Sequence, residues 1–181
     1  MKPSLVIIGL GNHGASYERT RHNLGFRALD ALAEAFGEGE WKQSDKFEAV
    51  VQEARIVTSP VLLVKPQTFM NLSGTSVRKL VDFYKLDPAS QVLVLSDDID
   101  LPCGDIRIRK NGGPGTHNGL KSVVEQIGEA FPRLRIGLGV PAPGVDLAAW
   151  VLSAPAPEEE RILKAALKMI PETVKKFVVG S

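Results

Sequence analysis

The chain reads as an α/β protein: a single sheet with helices packed on its faces. Three observations carry that reading. Short, continuous apolar runs (Leu5 to Leu10, Val61 to Val64, Val92 to Leu95) suit strands covered on both sides. Between them apolar residues recur at helical spacing, and strands alternating with helices argue one sheet sandwich. Finally, each run opens into a block of Gly, Asn, His or Asp. In open α/β sheets, ligands bind just outside the carboxyl ends of the strands.

Taken in order, Leu5 to Leu10 gives the first strand, and a polar segment reaches to Asn23. Phe26, Leu29, Leu32, Ala33 and Phe36 then mark a helix that Gly37 stops. Phe47 to Val57 and Val61 to Val64 are strands, followed by the polar block Gln67 to Gly74. Val77, Leu80, Val81 and Tyr84 mark a helix closed by Asp87-Pro88. Val92 to Leu95 runs into Ser96-Asp97-Asp98-Ile99-Asp100, and alternating Ile106, Arg107, Ile108, Arg109 suggest a half-exposed strand. The loop Asn111 to Thr116 leads through His117-Asn118-Gly119 to a helix carrying Leu120, Val123, Val124 and Ile127. Leu134 to Val140 is a strand. Pro157 and three glutamates open the last helix, which Pro171 is expected to kink.

At 181 residues the chain is expected to form one domain over 1–181 and to bury roughly 70% of its unfolded surface. No apolar run approaches the roughly 20 residues of a membrane span, and Met1-Lys2-Pro3 carries no signal pattern. The single Cys103 rules out an internal disulfide framework and suits the reducing cytoplasm. With a net charge of +1, a nucleic-acid partner has to be held by a local basic patch.

Gly9-x-Gly11-x-x-Gly14 matches the dinucleotide fingerprint, but that motif needs a helix opening on its third glycine. Here Ala15 to Arg21 has no apolar stripe, and the acid at the right distance, Asp30, falls inside a helix. His22 is either a surface histidine at a helix start or a general base, with Asp97 as the orienting carboxylate. Asp97, Asp98 and Asp100 suit a magnesium site, or else Asp98 and Asp100 organise a turn before Pro102, while zinc-ligand spacing is lacking. Asn12, Asn71 and Asn118 stand in three strand-end blocks, either as turn residues or as neutral groups for a peptide-ester substrate. No G-x-S-x-G elbow exists and Cys103 lies in an ordinary turn, so water is the expected nucleophile of any hydrolysis. Arg107, Arg109, Lys110, Lys121, Arg133 and Arg135 surround the second glycine loop, as phosphate ligands or as solvated strand faces.

Five blocks together resemble the bacterial peptidyl-tRNA hydrolase family. They are Gly9-Leu10-Gly11-Asn12 through Tyr17 to Thr20-Arg21-His22-Asn23, Lys65 to Gly74, Asp97 to Pro102, Gly115 to Lys121, and Arg133 to Gly137. The resemblance implies a single-domain, monomeric α/β fold with a twisted mixed sheet. It implies cleavage of the ester between peptide and tRNA, without metal or cofactor, so that tRNA is recycled from stalled translation. By motif, His22 is the base, Asp97 its partner, and Asn12 a catalytic amide. Tyr17, Met70, Asn71, Gly115, His117 and Asn118 line the substrate cleft, and Arg107, Arg109, Lys110, Lys121 and Arg133 meet tRNA phosphates. On this reading Gly9 and Gly11 allow the tight turn that presents Asn12. The chain departs from the family pattern at His13 (usually proline), at Pro114-x-Thr116 (Thr116 usually glycine) and at Val140 (often basic). The first two bear on loop geometry and substrate entry, the third on the tRNA patch. A rival is an RNA-binding protein on the same scaffold without hydrolysis; a third reading is a nucleotide-dependent oxidoreductase.

Overall fold

The computed structural model describes residues 2–180 and is built on one seven-stranded sheet. In chain order the strands are β1 (Leu5–Gly9), β2 (Lys42–Ser44), β3 (Ala49–Ile56), β4 (Ser59–Pro66), β5 (Val92–Asp98), β6 (Ile106–Arg109) and β7 (Arg133–Gly137). They lie in the order β2-β3-β4-β1-β5-β7-β6. The four middle strands, β4, β1, β5 and β7, run parallel; β2, β3 and β6 join antiparallel at the two sides. The sheet is therefore mixed, with its apolar strands at the centre.

The helices are α1 (Leu24–Phe36), α2 (Ser73–Tyr84), α3 (Pro88–Gln91), α4 (Asn118–Ile127), α5 (Leu147–Val151) and α6 (Pro157–Gly180). Side chains of β1 alternate between two cores. Leu5 and Ile7 pack with Leu29 and Leu32 of α1 and with Leu163, Ile170 and Val174 of α6. Val6 and Ile8 pack with Val77 and Leu80 of α2 and with Leu120 and Val123 of α4. The result is a three-layer sandwich. None of the described helices is long and apolar enough to cross a membrane.

The connection after β1 leaves through α1 on one face toward β4. The connection after β5 leaves through α4 on the other face toward β7. Where neighbouring parallel strands send their chains to opposite faces, a crevice opens at their carboxyl ends. Here that crevice lies between the ends of β1 and β5.

Two glycine contacts set its dimensions. A Cβ on Gly25 would stand 2.5 Å from both the nitrogen and the oxygen of Leu10 and 2.6 Å from the Leu95 oxygen. A Cβ on Gly9 would lie 2.3 Å from the Gly25 oxygen. The first turn of α1 thus rests backbone on backbone against β1. On the other face, a Cβ on Gly74 would lie 2.1 Å from the Ser122 oxygen, so α2 and α4 meet just as closely. The expected role of Gly9 and Gly11 is corrected accordingly. Neither has positive φ. Gly9 admits α1, and Gly11 makes room for the Phe26 ring, which a Cβ there would approach to 2.7 Å. Of the three fingerprint glycines only Gly14 has left-handed backbone, at φ 110°.

Other expectations shift at their edges. Phe47 belongs to a 3-10 turn (Asp45–Phe47) before β3, and α2 ends at Tyr84 on a left-handed Lys85. Asp87 caps the short α3 instead, accepting the Ala89 N–H. β7 stops at Gly137, before Val140. Gly37 ends α1 with extended backbone, and its missing side chain clears the Ala33 carbonyl. Asp30 is exposed on α1 and paired with Lys65 at 2.5 Å, which gives it no part in a nucleotide site.

Gly25→Ala is expected to cost about 3 kcal/mol, the upper end of the overpacking range, because the atoms it meets are backbone. Urea unfolding checks this: the midpoint should fall with an unchanged slope.

Candidate active site

The centre of the crevice is a buried carboxylate held by two imidazoles. Asp97, next to last in β5, is 3% exposed. Its Oδ2 lies 2.8 Å from His22 Nδ1, and its Oδ1 lies 2.9 Å from His117 Nε2. His22 stands in a 3-10 turn (Arg21–Asn23) that leads directly into α1. His117 is the N-cap of α4, and its Nδ1 accepts the Leu120 N–H at 3.1 Å.

That cap decides the protons. Since His117 Nδ1 accepts, its hydrogen is on Nε2, which donates to Asp97. Burial by itself would push the Asp97 carboxyl up. The influence of His117, then of His22, and the hydrogen bonds from both outweigh it and hold the carboxyl well below the usual range. The ionised Asp97 accepts from His22 Nδ1–H, so Nε2 is the basic nitrogen of His22. Burial lowers the pKa of His22, but the charge and hydrogen bond of Asp97 override it, and the net shift is upward from 6.5. The two histidines and Asp97 also form the one metal-like cluster among the described residues. In these tautomers both imidazole nitrogens facing Asp97 carry hydrogens, which a cation there would have to displace.

Asn12 follows β1 and is 7% exposed. Its Oδ1 accepts the Met70 N–H at 2.8 Å, which turns the Nδ2 donor to the other side. Asn23, 1% exposed, clasps the Asn12 backbone in both directions: its Oδ1 accepts Asn12 N–H and its Nδ2 donates to Asn12 O. Sequence reasoning gave Asn23 no role, although it sits beside His22 in the same motif. Met70 differs from its expected place. It is 5% exposed, its sulfur packs where a Gly119 side chain would go, and its contribution here is the N–H.

Phe69, also missed, has φ 62° and ψ 160°, a region that is essentially glycine's alone. Its exposed ring lies 4.3 Å from the His13 ring and 6.5 Å from the Tyr17 ring. Nothing in the letters around Phe69 signals that backbone. Tyr17 and His13 therefore belong to an aromatic surface on the β1–β4 side, while Asn71 is exposed beyond Met70.

On the other side of Asp97 is a cavity of about 220 Å³. His22, Asp97, Gly115, His117 and Asn118 line it, together with Arg109, Arg133 and Arg135 and with the acids Asp98 and Asp100. Asn12, Tyr17, Met70 and Asn71 do not. Arg133 corrects the expectation of a phosphate contact. It is 1% exposed, stacks on Phe131 at 4.0 Å, and donates to the carbonyls of Gly113, Glu129 and Phe131. It fastens the glycine loop. Arg135, also at the cavity wall, is bonded to Asp98 at 3.2 Å. Burial, then the Arg109 charge, draws the pKa of Arg133 down, a sign of crowded positive charge here. Arg107 (59% exposed), Lys110 and Lys121 are on the surface. Thr116 needs no left-handed backbone, so glycine is dispensable there, and the Pro114 carbonyl accepts the His117 N–H. Val140 is 80% exposed. Burial raises the Cys103 thiol, away from the thiolate form.

The model of the peptidyl-tRNA hydrolase family matches residues 6–180. The chain belongs to that family. It is 48% identical over 174 residues to the peptidyl-tRNA hydrolase of Chloroflexus aggregans, covering 96% of this chain and 92% of the relative. To that of Alkaliphilus metalliredigens it is 46% identical over 175 residues, with 96% and 92% covered. The crystal structure of the Acinetobacter baumannii peptidyl-tRNA hydrolase superposes with a TM-score of 0.92 at 37% identity, covering 99% of this chain and 91% of the other.

The proton assignment is testable by NMR. His22 is expected to titrate above 6.5, and Asp97→Asn should bring it down, because the charge that raises it is gone. An unchanged His22 titration in that variant would contradict the pairing.

Proposed function

We propose that this chain hydrolyses the ester between peptide and tRNA in peptidyl-tRNA, with His22 as general base and water as nucleophile. The observation that carries the reading is the His22–Asp97–His117 arrangement, which supports an accepting Nε2 on His22 beside a cavity lined by both arginines and aspartates. Water gives a proton to Nε2 as its oxygen adds to the ester carbonyl. The tetrahedral intermediate then collapses, the ribose oxygen leaves, and the proton passes to it from His22. Free tRNA and a peptide acid result.

On this reading the Asn12 amide, whose Oδ1 is taken by the Met70 N–H, donates from its nitrogen to the oxyanion. Asn118, at the start of α4, and Asn71 hold the peptide, as do Tyr17 and Gly115. Arg109 and Arg135 take the phosphates nearest the ester, while Arg107, Lys110 and Lys121 extend the contact over the surface. One chain supplies every group named, consistent with action as a monomer. A lone, free Cys103 suits the reducing cytoplasm, where translation stalls.

His22→Ala is expected to lower kcat for release of tRNA by about 10²–10⁴ while tRNA affinity stays nearly constant. Equal losses in both would favour an RNA-binding protein without hydrolysis. A chelator should leave wild-type turnover unchanged.

Replacing Arg109 and Arg135 by Ala should weaken tRNA binding and reduce the slope of log affinity against log salt by about 2. Binding titrations at several salt concentrations read this directly.

A further inference from the structure

Arg21 precedes the base in sequence, and is a cation only 5% exposed. Its N–H donates to the Ser153 carbonyl at 3.0 Å. Its guanidinium donates to the Trp150 carbonyl at 3.0 Å and to Ser153 Oγ at 2.6 Å. Nε and Nη2 fork onto Glu159, at 3.0 and 2.7 Å. The centre of the group lies 4.3 Å from the Trp150 ring centre. Only a planar, five-donor group satisfies all of these partners together.

The partners are informative. Trp150 belongs to α5, and α5 contributes Leu147, Ala148 and Val151 to the wall of the cavity beside His22. Glu159 lies in the first turn of α6 and is itself fixed by the Ala156 N–H. The 3-10 turn that carries His22 has no side-chain cap of its own. Glu159 keeps 27% of its side chain exposed, so the pair is part-buried and its net attraction is modest. Its place beside the base points to another role.

We propose that Arg21 is a positioning residue for His22: through Glu159 and the α5 carbonyl it clamps the base-bearing turn to the cavity wall, so that base and substrate wall keep one relative geometry. This rests on the hydrolase reading given above. Asp97 fixes the distance to Nδ1; Arg21 fixes the turn from which the ring projects. The groups facing His22 are Asp97 of β5 and the His117 ring at 4.8 Å from the cap of α4, and neither touches Arg21.

Arg21→Lys, Glu159→Gln and the double variant test it, compared well below their unfolding temperatures. Glu159→Gln keeps the size of the side chain, so a folded protein is available even where Arg21→Lys is unstable. Each is expected to lower kcat by about 10- to 100-fold with KM little changed, as for a small displacement of a reacting group. The acidic limb of the pH–rate profile should move down toward 6.5, and the double variant should be no worse than the weaker single one. A lower unfolding midpoint with kcat and pH limb intact would overturn the proposal, and so would a rise in KM alone. The NMR titration of His22 in the same variants needs no substrate. Absence of tRNA release by the wild type would overturn the hydrolase reading, and a His22 titration unmoved by the variants would overturn this one.

Discussion

The Asp97 carboxylate, ionised and almost fully enclosed, is the constraint around which the crevice is arranged. Such a group is tolerated only when its charge is answered by donors at close range. Two imidazole N–H groups answer it, one on each carboxylate oxygen, and neither is free to turn. His117 is locked because the first turn of α4 uses its other nitrogen as a cap. His22 is locked because its turn runs straight into α1. The requirement to satisfy one buried charge therefore fixes the tautomers of two histidines. It also ties β5, the entry to α1 and the entry to α4 into one rigid junction.

The sheet makes that junction possible by bringing the chain unusually close to itself. Gly9 against Gly25, and Gly74 against Ser122, bring α1 and α4 toward the sheet and toward α2 at distances no side chain would permit. The motif that resembles a phosphate-binding turn thus does a different task. Gly9 and Gly11 are packing surfaces for a helix that delivers a base, and the arginines Arg109 and Arg135 stand across Asp97, interleaved with Asp98 and Asp100.

Much of this was legible in the chain. β1, β4 and β5 announce themselves as apolar runs because both their faces are covered. His22 and Asp97 were legible as a pair because each lies in a polar block that follows an apolar strand. β2 was not, since Lys42–Ser44 is polar, short and at the sheet's edge, where no periodicity is imposed. Nor was α5, five residues with only the Asp146 cap as a signal. Arg133 and Arg21 were misjudged or passed over for one reason. An arginine's letter suggests solvent or phosphate, whereas these two spend their donors on backbone carbonyls and a carboxylate inside the fold. Asn23 escaped notice because its partner is the backbone of Asn12, and backbone partners leave no trace in sequence.

Phe69 carries a consequence for how such a chain can change over time. An L-residue at φ 62°, ψ 160° costs about 1–3 kcal/mol, and glycine would remove most of that cost. The next peptide N–H is the one that holds Asn12 Oδ1, so relief of the strain would slacken the amide beside the base. Random substitution at position 69 is thus drawn toward thermal stability, and selection for turnover pulls the other way. The chain stands on the costly side of that exchange, with His13 and Tyr17 packed around the ring that keeps it there.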